Sequence, residues 1–476
     1  MNILFAASEA APFAKTGGLA DVIGSLPKEL KRQGIDVRVI LPKYEDIPQI
    51  YKEGMHTIDS FEVTLGWRKQ YFGIQTLEYD GITFYFADSE YYFKRSGFYG
   101  YDDDAERFAF FCRGVIEALP YLDFHPDVIH CHDWQTAMIP VLLKAHYSHF
   151  PFYENMKTML TIHNLKYQGI FGRQTLQDLF GLTDDYFTGT ALELHGGASF
   201  LKGGLNFADR ITTVSQTYAE EIQTPYFGEN LDSLLRHRCG SLSGIVNGID
   251  YESFDPMNDS QLVVNYKDSL SKKQQNKLAL QERLGLPVDE TIPMIALVTR
   301  LVQQKGLDLI QHVLPELLSI RAQWVILGTG EYRYEQLLRD TAHAQPDKVA
   351  ALITFDDGLA RQIYASSDFF LMPSQFEPCG IGQLIALRYK SIPIVRETGG
   401  LKDTVQPFNE FTGEGTGFSF SNYNAHDLLY TVRRAIGFYE HDRGSWLRLH
   451  QNVRKSDFSW KKSAQQYISL YEEMTH

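Results

Sequence analysis

The chain has few cysteines and no excess of positive charge. Its 476 residues include four cysteines, and no two of them form a CxxC pair. This pattern signals neither a disulfide framework nor a zinc site, and it favours a reducing compartment, the cytoplasm. The formal net charge of −14 argues against nucleic acid as the main partner, because phosphate binding needs a basic surface. That charge still permits a local basic pocket for one diphosphate.

Long apolar segments and low-complexity tracts are also missing. No apolar run approaches the roughly 20 residues that cross a bilayer, so we expect no membrane partner. The N-terminus carries Glu9 and lacks a basic segment, which argues against a signal peptide. With 44% hydrophobic and 22% charged residues, the composition is typical of a soluble globular protein. The length predicts two or three domains.

What the chain does contain is an alternation of apolar, β-branched runs with helical patterns. Several runs are continuously apolar, as expected for parallel strands covered on both faces, so we predict α/β architecture with doubly wound parallel sheets. The predicted strands are Ile3–Ala7, Asp36–Leu41, Asp127–His132, Met159–His163, Ile211–Val214, Met294–Thr299, Trp324–Leu327, Ala351–Phe355, Asp368–Met372 and Ile392–Val395.

A polar stretch after Asp250 and a fresh strand at Met294 divide the chain. We predict one domain over residues 1–245 and a second over 246–455. The tail, 456–476, carries apolar residues at helical spacing, with Ser459 as a plausible N-cap. Residues 90–107 are aromatic and polar without clear periodicity, and we predict a loop there.

Two copies of nearly the same phrase lie close to opposite ends of the chain. KTGGLADV occupies residues 15–22, and TGGLKDTV occupies 398–405; each follows an apolar run. Both predict strand, glycine turn and helix, an arrangement that points free N–H groups at an anion. The pair therefore indicates two α/β units with a phosphate or sugar between them.

Two further segments add charged groups after predicted strands. TRLVQQKGLDL (299–309) supplies Arg300 and Lys305 ahead of a helix, and two fixed cations there suit a diphosphate leaving group. PSQFEPCGIGQ (373–383) places Glu377 in a turn before a helix. Its carboxylate could hold sugar hydroxyls while the helix N-terminus faces phosphate; the alternative is a helix cap.

Histidines end two other predicted strands. TIHNLKYQG (161–169) supplies His163 and Asn164, and VIHCHDWQT (128–136) supplies Asp133. Side chains at the carboxyl ends of parallel strands point into the crevice where such sheets bind ligands. The alternation of His and Asp in VIHCHDWQT could suggest a metal site. No third or fourth ligand follows at a useful spacing, so we expect no metal.

One glycine-rich phrase is not taken as a cofactor site. WVILGTGEYR (324–333) begins like a dinucleotide fingerprint, but Arg333 stands where the third glycine should be, and no acidic ribose ligand follows. We therefore expect no nicotinamide cofactor.

Taken together, these segments resemble the bacterial glycogen synthase and plant starch synthase family of retaining glucosyltransferases. The resemblance covers nearly the whole chain, and KTGGLADV and EPCG carry most of its specificity. The matching phrases are KTGGLADV, HCHDWQT, TIHNLKYQG, LHGGASFLKGG, ITTVSQTYAEEI, VNGID, TRLVQQKGLDL, PSQFEPCGIGQLIALRYK and TGGLKDTV. It implies a GT-B fold, two Rossmann-like domains facing a deep cleft, with the C-terminal helix packing back on the first domain.

The resemblance also implies roles for residues that match its motifs. Arg300, Lys305, Glu377 and His163 are the expected catalytic residues: the first two neutralise the leaving diphosphate, and the others hold the transferring glucose. The expected donor contacts are Lys15, Gly17, Gly18, Phe355, Cys379, Gly380, Ile381 and Gly382. The expected sugar and acceptor contacts are Asp21, Asp133, Asn164 and Asn247.

The chain departs from the family pattern at three positions. Many retaining GT-B enzymes carry a second glutamate eight positions after the first, but Ile385 stands there. This weakens any scheme in which paired glutamates act. Gly382 stands where some relatives are expected to carry a phosphate-contacting hydroxyl, and Lys390 where a glycine is expected.

The resulting expectation is transfer of α-glucose from a nucleotide diphosphate sugar, ADP-glucose first, to the non-reducing end of an α-1,4-glucan such as glycogen. No cofactor is expected beyond the nucleotide sugar, and the donor base stays open, with UDP-glucose the other candidate. A phosphorylase-like enzyme with pyridoxal phosphate, a nucleotide-sugar epimerase or hydrolase, and a non-catalytic glucan-binding protein are the alternatives.

Overall fold

The structure of the protein is a computed structural model that describes residues 1–475. The chain forms two compact units. The first contains Met1–Gly248 together with the segment from Trp460 onward, and the second is Ile249–Ser459.

The first unit is built on a nine-stranded sheet whose central strands are all parallel. The strand order is β12-β11-β7-β6-β1-β2-β5-β4-β3, and a small antiparallel sheet, β8-β10-β9, lies apart from it. The strands are β1 (Asn2–Ala6), β2 (Asp36–Pro42), β3 (His56–Leu65), β4 (Arg68–Tyr79), β5 (Ile82–Asp88), β6 (Val128–His132), β7 (Lys157–Ile162), β8 (Ile170–Phe171), β9 (Glu193–Leu194), β10 (Gly197–Ser199), β11 (Arg210–Thr213) and β12 (Leu242–Gly244).

Helices cover this sheet. They are α1 (Gly18–Arg32), α2 (Gln49–Lys52), α3 (Glu90–Phe93), α4 (Asp104–Ala118), α5 (Met138–Leu142), α6 (Gln174–Phe180), α7 (Phe200–Phe207), α8 (Gln216–Glu221) and α9 (Asp232–His237). The loop prediction for 90–107 is wrong in part, because α3 and the start of α4 lie there. The fully buried Arg107 donates hydrogen bonds to the backbone oxygens of Tyr92 and Phe98, a tertiary contact that local sequence does not reveal.

The second unit is built on a six-stranded parallel sheet with the order β15-β14-β13-β16-β17-β18. Counted within the unit, this is 3-2-1-4-5-6, the Rossmann order. The strands are β13 (Met294–Val298), β14 (Gln323–Leu327), β15 (Val349–Leu352), β16 (Phe369–Met372), β17 (Ile392–Arg396) and β18 (Phe418–Phe420). The helices are α10 (Leu270–Leu284), α11 (Leu307–His312), α12 (Leu314–Ser319), α13 (Tyr332–Ala344), α14 (Asp357–Ser366), α15 (Gly382–Arg388), α16 (Gly399–Thr404), α17 (Ala425–His441) and α18 (Arg443–Lys455).

Alternate residues of these strands supply two apolar layers, one on each face of the sheet. Ile295 and Leu297 of β13 belong to one layer, and Met294 and Ala296 belong to the other. The period of two in a buried strand produces this division. It explains why the strands are continuously apolar, which is the pattern that predicted them.

The tail forms α19 (Trp460–Thr475), which packs on the first unit. Trp460, Ala464, Tyr467 and Tyr471 are buried along one face of this helix. The Tyr471 hydroxyl lies 2.7 Å from Nδ1 of the buried His130 on β6.

The unit boundaries fall a few residues later than the predicted 245/246 and 455/456. Ile249 N donates to Phe458 O at 2.9 Å, and Ile249 also bridges Ser459. The two chain segments that connect the units therefore run side by side. Because Ile249 pairs with residues 458 and 459 of the second unit, the boundary lies after Gly248. Among residues 1–475, no helix has the length and apolarity that a membrane crossing demands.

Candidate active site

In the second unit, two functional loops leave the sheet on either side of its topological switch point. The order of the strands reverses between β13 and β16, which are neighbours. Open α/β sheets bind ligands at such a point, outside the carboxyl ends of the strands. The loop after β13 carries Arg300 and Lys305, and the loop after β16 carries Glu377.

Lys305 and Glu377 form an ion pair that the sequence did not predict. Lys305 Nζ lies 2.7 Å from Glu377 Oε2, and the Ser374 hydroxyl donates to the same oxygen at 3.0 Å. The Glu377 side chain is only 9% exposed, so the pair sits in a poorly hydrated position. Within residues 1–475 no donor is bonded to Oε1 of Glu377, which leaves that oxygen for a sugar hydroxyl. The carboxylate is therefore not a helix cap.

Arg300 is placed differently from Lys305. It follows β13 directly and is exposed, and its guanidinium has no hydrogen bond or ion pair within the described part of the chain. Lys305 ends a 3-10 turn, Gln303–Lys305, immediately before α11. The two cations thus lie on one loop, with Lys305 fixed by Glu377 and Arg300 unpaired.

The turn after Glu377 leads into α15 and leaves backbone donors available. Cys379 is buried, and Gly380 adopts the left-handed conformation with φ +76°. Ile381 is the N-cap of α15, without a side-chain cap, and Gly382 is its first residue. Over residues 1–475 no acceptor is bonded to the N–H groups of Gly380 and Ile381, which can receive an anion.

The second glycine phrase packs against this turn and supports it. Gly400 N donates to the carbonyl oxygens of Glu377 and Pro378 at 3.2 and 3.1 Å. A Cβ on Gly399 would lie 1.9 Å from Glu377 O, and one on Gly400 would lie 2.1 Å from Cys379 O. Both glycines are thus needed for close packing on the Glu377–Cys379 backbone.

Phe355 is not in a strand, contrary to the predicted Ala351–Phe355. The strand β15 ends at Leu352, and Phe355 lies in the loop ahead of α14. Its side chain is 86% exposed. The prediction failed because the apolar pattern continues past the last residue that pairs with β14.

Two of the departures from the family pattern have a structural basis. Ile385 is buried in one apolar layer of the second unit, where a carboxylate would lack partners. Lys390 has φ +63°, a conformation that glycine adopts more readily. A single glutamate, Glu377, is therefore available at this turn.

In the first unit, the switch point lies between β1 and β6. The strand order runs from β1 to β2 and β5 on one side, and from β6 to β7 and β11 on the other. The KTGG loop follows β1 and leads into α1, whose N-cap is Gly17 and whose first residue is Gly18. Gly17 and Gly18 are exposed, and a Cβ on Gly17 would meet nothing within 4 Å. Lys15 Nζ lies 2.6 Å from Asp21 Oδ1, which joins two residues predicted to have separate roles.

Sequence reasoning missed Glu9, which holds the KTGG loop. Its carboxylate accepts hydrogen bonds from the backbone N–H and the hydroxyl of Thr16, both at 2.6 Å, and from the Tyr99 hydroxyl at 2.7 Å. Glu9 is 4% exposed. Its place just beyond the end of β1, at the carboxyl edge of the sheet, is the signal that could have found it.

Asp133 and His163 are brought together beyond the ends of β6 and β7. The His163 backbone N–H donates to Asp133 Oδ1 at 2.7 Å, and Asp133 itself has φ +57°. Burial raises the pKa of Asp133 to about 7, although hydrogen bonds from the backbone oppose that rise. Burial lowers the pKa of His163 to about 3, so its imidazole is neutral at physiological pH.

The tautomer of the neutral His163 is set by His132, a residue at the end of the predicted strand to which the sequence analysis gave no role. His132 Nδ1 lies 3.0 Å from His163 Nε2, and His132 is fully buried. His132 Nε2 has no hydrogen-bond partner in the described residues. A buried N–H without an acceptor costs more than a buried nitrogen lone pair, so the proton resides on His132 Nδ1. His163 then accepts at Nε2 and carries its own proton at Nδ1.

In the described chain, the side chains of the other two predicted sugar contacts, Asn164 and Asn247, are not bonded to Asp133 or His163. Asn164 follows His163 and its side-chain oxygen accepts from Lys166 N at 3.1 Å. Asn247 is buried, and its Oδ1 has no hydrogen-bond partner within residues 1–475. No bond in the described chain joins either side chain to Asp133. Within the same residues, no group of three or more His, Cys, Asp or Glu side chains could hold a metal ion.

Two Rossmann-like units, each with parallel central strands and with polar loops at its switch point, are typical of GT-B glycosyltransferases. Residues 2–237 match the starch synthase catalytic domain, and residues 281–452 match glycosyl transferases group 1. The glycogen synthase of Desulforamulus reducens is 56% identical over 100% of this chain and 99% of its own length, and that of Clostridium acetobutylicum is 57% identical over 99% of each.

A solved structure of the catalytic domain of starch synthase IV from Arabidopsis thaliana, bound to ADP and acarbose, has a TM-score of 0.92. It is 34% identical over 100% of this chain and 99% of that one. The chain belongs to the glycogen synthase family, and it is a glucosyltransferase of glycogen biosynthesis. The predicted fold class and enzyme class are confirmed, and the phosphorylase-like, epimerase and non-catalytic alternatives do not fit this family.

Proposed function

We propose that the protein transfers α-glucose from ADP-glucose to the non-reducing end of an α-1,4-glucan, with retention of configuration, in the cytoplasm. The observation that carries this proposal is the Lys305–Glu377 pair beside the unbonded N–H groups of Gly380 and Ile381. A cation and a helix N-terminus are suited to bind a diphosphate. A carboxylate with one oxygen that accepts no hydrogen bond is suited to bind a sugar hydroxyl. The relative bound to ADP supports adenine as the base.

The donor is held chiefly by residues of the second unit in this proposal. Arg300 and Lys305 bind the diphosphate, and the backbone at Gly380, Ile381 and Gly382 donates to it. Buried Cys379 fixes the turn, and the exposed ring of Phe355 stacks on the base. The exposed Lys15, Gly17 and Gly18 are assigned to the donor phosphates as well, because their loop leads into the N-terminus of α1.

The reaction proceeds on one face of the sugar. The anomeric C–O bond to the diphosphate breaks through an oxocarbenium-like transition state, and the leaving phosphate oxygen takes the proton of the attacking 4-hydroxyl. Arg300 and Lys305 neutralise the growing charge on that phosphate. Glu377 orients hydroxyls with its free Oε1; its other oxygen is held by Lys305 and Ser374, which makes it a poor nucleophile.

Polar groups of the first unit hold the sugars. His163 donates from Nδ1 to a hydroxyl of the transferring glucose, and Asp133, Asn164 and Asn247 supply further hydrogen bonds. The orphaned Oδ1 of Asn247 is suited to a hydroxyl donor. Asp21, through its pairing with Lys15, is assigned to the acceptor side. Neither a cofactor nor a metal ion is part of this proposal.

Glucose incorporation into glycogen by the purified protein tests the donor. ADP-glucose and UDP-glucose are compared side by side, without added metal, and we expect strong incorporation from ADP-glucose. Equal or stronger incorporation from UDP-glucose would overturn the donor assignment. Transfer from neither donor by folded protein would overturn the reaction itself.

Substitution of Lys305 tests the mechanism. Lys305→Met should lower kcat by roughly 10²–10³, the usual effect of removing one electrostatic stabiliser of a transition state. The matched control is Lys272→Met, which removes one exposed positive charge from α10. Full turnover by the Lys305 variant would remove this residue from the mechanism.

A further inference from the structure

The second unit has a small cavity at the edge of its sheet opposite the candidate active site. The cavity lies between α10, α18, the end of α14 and the start of β16. Asp368 lines it and stands immediately before β16, whereas the Glu377 turn follows the other end of that strand. No residue assigned above to the donor, to the sugars or to catalysis lines this cavity.

Two buried lysines of α10 border the cavity, but they share a single carboxylate. Lys277 is 1% exposed, and its Nζ lies 2.6 Å from Asp368 Oδ2. Lys273 is 5% exposed, and its Nζ donates to three backbone oxygens at the C-terminal ends of α14 and α15, each at 3.0 Å. Within residues 1–475 no carboxylate forms an ion pair with Lys273. Because buried charges are usually paired, the cavity has an excess of positive charge.

The pKa of His450, on the wall of the cavity, reflects the same excess. Burial lowers this pKa to about 3, and four nearby cations act in the same direction. They are Lys273, Arg454, Arg443 and Lys390. Asp268 offsets part of their charge, since it lies 3.7 Å from Lys390 and 3.9 Å from Arg454. The surroundings of His450 therefore disfavour a further positive charge and favour a negative one.

Two buried polar atoms of the lining have no partner. Ser366 is 1% exposed and His450 is 2% exposed, and neither Ser366 Oγ nor His450 Nδ1 has a hydrogen-bond partner within residues 1–475. The hydroxyl can donate to an anion, and the neutral imidazole can carry its proton on Nδ1 and donate as well. An anion would satisfy both atoms and would also balance the charge of Lys273.

The size of the cavity restricts the anion to a small one. Its volume is about 20 Å³. Roughly 10–15 Å³ is enough for one water molecule, so a single-atom ion fits, whereas the four oxygens of phosphate or sulfate require more space. We infer that the cavity binds a chloride ion, which accepts hydrogen bonds from Ser366 and His450 and balances Lys273. A water molecule would satisfy the two polar atoms but would leave the charge unbalanced.

The ion would join three helices at the amino ends of β13 and β16. Lys273 belongs to α10, Ser366 ends α14, and His450 belongs to α18. A ligand that binds only the folded chain raises its stability as the ligand concentration increases. When chloride replaces gluconate at constant ionic strength, we expect the Tm of the full-length protein to rise by on the order of 2 °C.

Two variants test the site, and neither alters a residue assigned to the reaction. Ser366→Ala removes the buried hydroxyl, and Arg443→Gln removes an exposed charge from the lining. The matched control is Arg433→Gln, at an exposed position of α17 outside the cavity. Chloride-35 NMR measures binding, because bound chloride broadens the resonance. We expect Ser366→Ala to weaken chloride binding by about tenfold or more. Arg443→Gln should weaken it by about two- to fivefold, and Arg433→Gln should leave it unchanged.

Thermal unfolding in gluconate separates loss of the ion from misfolding. Without chloride, Ser366→Ala should be at least as stable as the wild type, because it removes a buried hydroxyl that has no partner. In chloride, the variant should lack the rise in Tm that the wild type shows. An equal rise in the wild type and in Ser366→Ala would overturn the inference.

Bromide, which scatters anomalously, locates the ion. Crystals grown without chloride and soaked in sodium bromide should show an anomalous peak within hydrogen-bonding distance of Ser366 Oγ and His450 Nδ1. The same soak of Ser366→Ala crystals should show no peak there. Density that a water molecule explains, without an anomalous peak, would overturn the inference. A bromide peak combined with no chloride binding in solution would show an adventitious ion only and would overturn it as well.

Discussion

His163 can donate a hydrogen bond to a sugar in only one of its two neutral forms. The buried His132 selects that form, because its own Nε2 has no acceptor and its proton must therefore sit on Nδ1, facing His163. The low pKa of His163, about 3, keeps the ring neutral across the working range. His132 is thus a positioning residue for His163.

Paired substitutions of His132 test this role. His132→Asn retains an N–H near the position of Nδ1, whereas His132→Leu removes it. We expect His132→Leu to lower kcat by up to about tenfold, the value of one neutral hydrogen bond, and His132→Asn to recover most of the loss. Nitrogen-15 NMR should show the His163 proton on Nδ1 in the wild type and in the Asn variant, and a mixture of forms in the Leu variant. Equal kcat losses in two variants of equal thermal stability would contradict the role.

Asp133 illustrates the cost of a buried carboxyl at the site. Its pKa in the folded protein is about 7, against an ordinary 3.8, so the folded state holds the proton more tightly than the unfolded state. Stability from this group is therefore present below about pH 4 and is lost as the pH rises towards 7. Above pH 7 the penalty of the buried charge is complete.

Replacement of Asp133 by asparagine should remove that penalty. The amide oxygen can still accept from His163 N, and asparagine tolerates φ +57°. We expect Asp133→Asn to raise Tm relative to the wild type by on the order of a few degrees at pH 8, and by much less at pH 5. Asp36→Asn, at an exposed position, should show no such pH dependence. A difference in Tm that is the same at both pH values would contradict the assignment.

At the scale of elements, the two glycine phrases have diverged in structural role. TGGL packs on the Glu377 turn so closely that neither glycine has room for a Cβ. KTGG is exposed, and Gly17 has open space around its Cα. The TGGL phrase supports the backbone of the Glu377 turn, and the KTGG phrase is exposed and accessible to a ligand.

Alanine at each phrase should separate the two roles. Gly400→Ala should displace the Glu377–Cys379 backbone, which should lower both Tm and kcat. Gly17→Ala should leave Tm unchanged but raise KM for ADP-glucose, because a methyl group would occupy the space expected for the donor phosphates. Thermal unfolding gives Tm, and initial rates give kcat and KM. An unchanged KM in Gly17→Ala would remove Gly17 from the donor site.

The sequence predicted most of the parallel strands because they are continuous apolar runs, but it did not predict the short β12 and β18. It missed the antiparallel pair β3 and β4, whose partly exposed residues resemble surface segments. It also missed β5, which is largely buried and pairs in parallel with β2. It found Arg300, Lys305 and Glu377 from their places after strands. It missed the Lys305–Glu377 pair and the roles of Glu9 and His132, since these depend on which loops the fold brings together.

At the scale of the whole molecule, the connectivity of the two units differs. The second unit is one continuous segment whose ends meet, since Ile249 N donates to Phe458 O. The first unit is discontinuous and needs α19 to complete it. Loss of α19 would remove Trp460 and Tyr467 from the apolar core of the first unit and leave His130 Nδ1 without its bond to Tyr471.

This difference predicts how fragments behave. Residues 249–459 alone should unfold cooperatively on heating and should bind ADP in calorimetry, because the segment has its own apolar layers and the Lys305–Glu377 turn. Lys305→Met in the fragment should weaken that binding, whereas Lys272→Met should not. Residues 1–248 alone should lack a cooperative transition.

The first unit should regain its cooperative transition when residues 460–476 are attached to Gly248 through a flexible linker, because the apolar stripe of α19 then covers the sheet again. In that linked fragment, Tyr471→Phe leaves a buried nitrogen without a partner and should cost about 1–3 kcal/mol of unfolding free energy. Urea titration measures this loss. A fragment of residues 1–248 that already unfolds cooperatively, with the stability of the linked form, would show that α19 does not stabilise the core of the first unit. The division of the chain into a continuous and a discontinuous unit would then have no effect on stability.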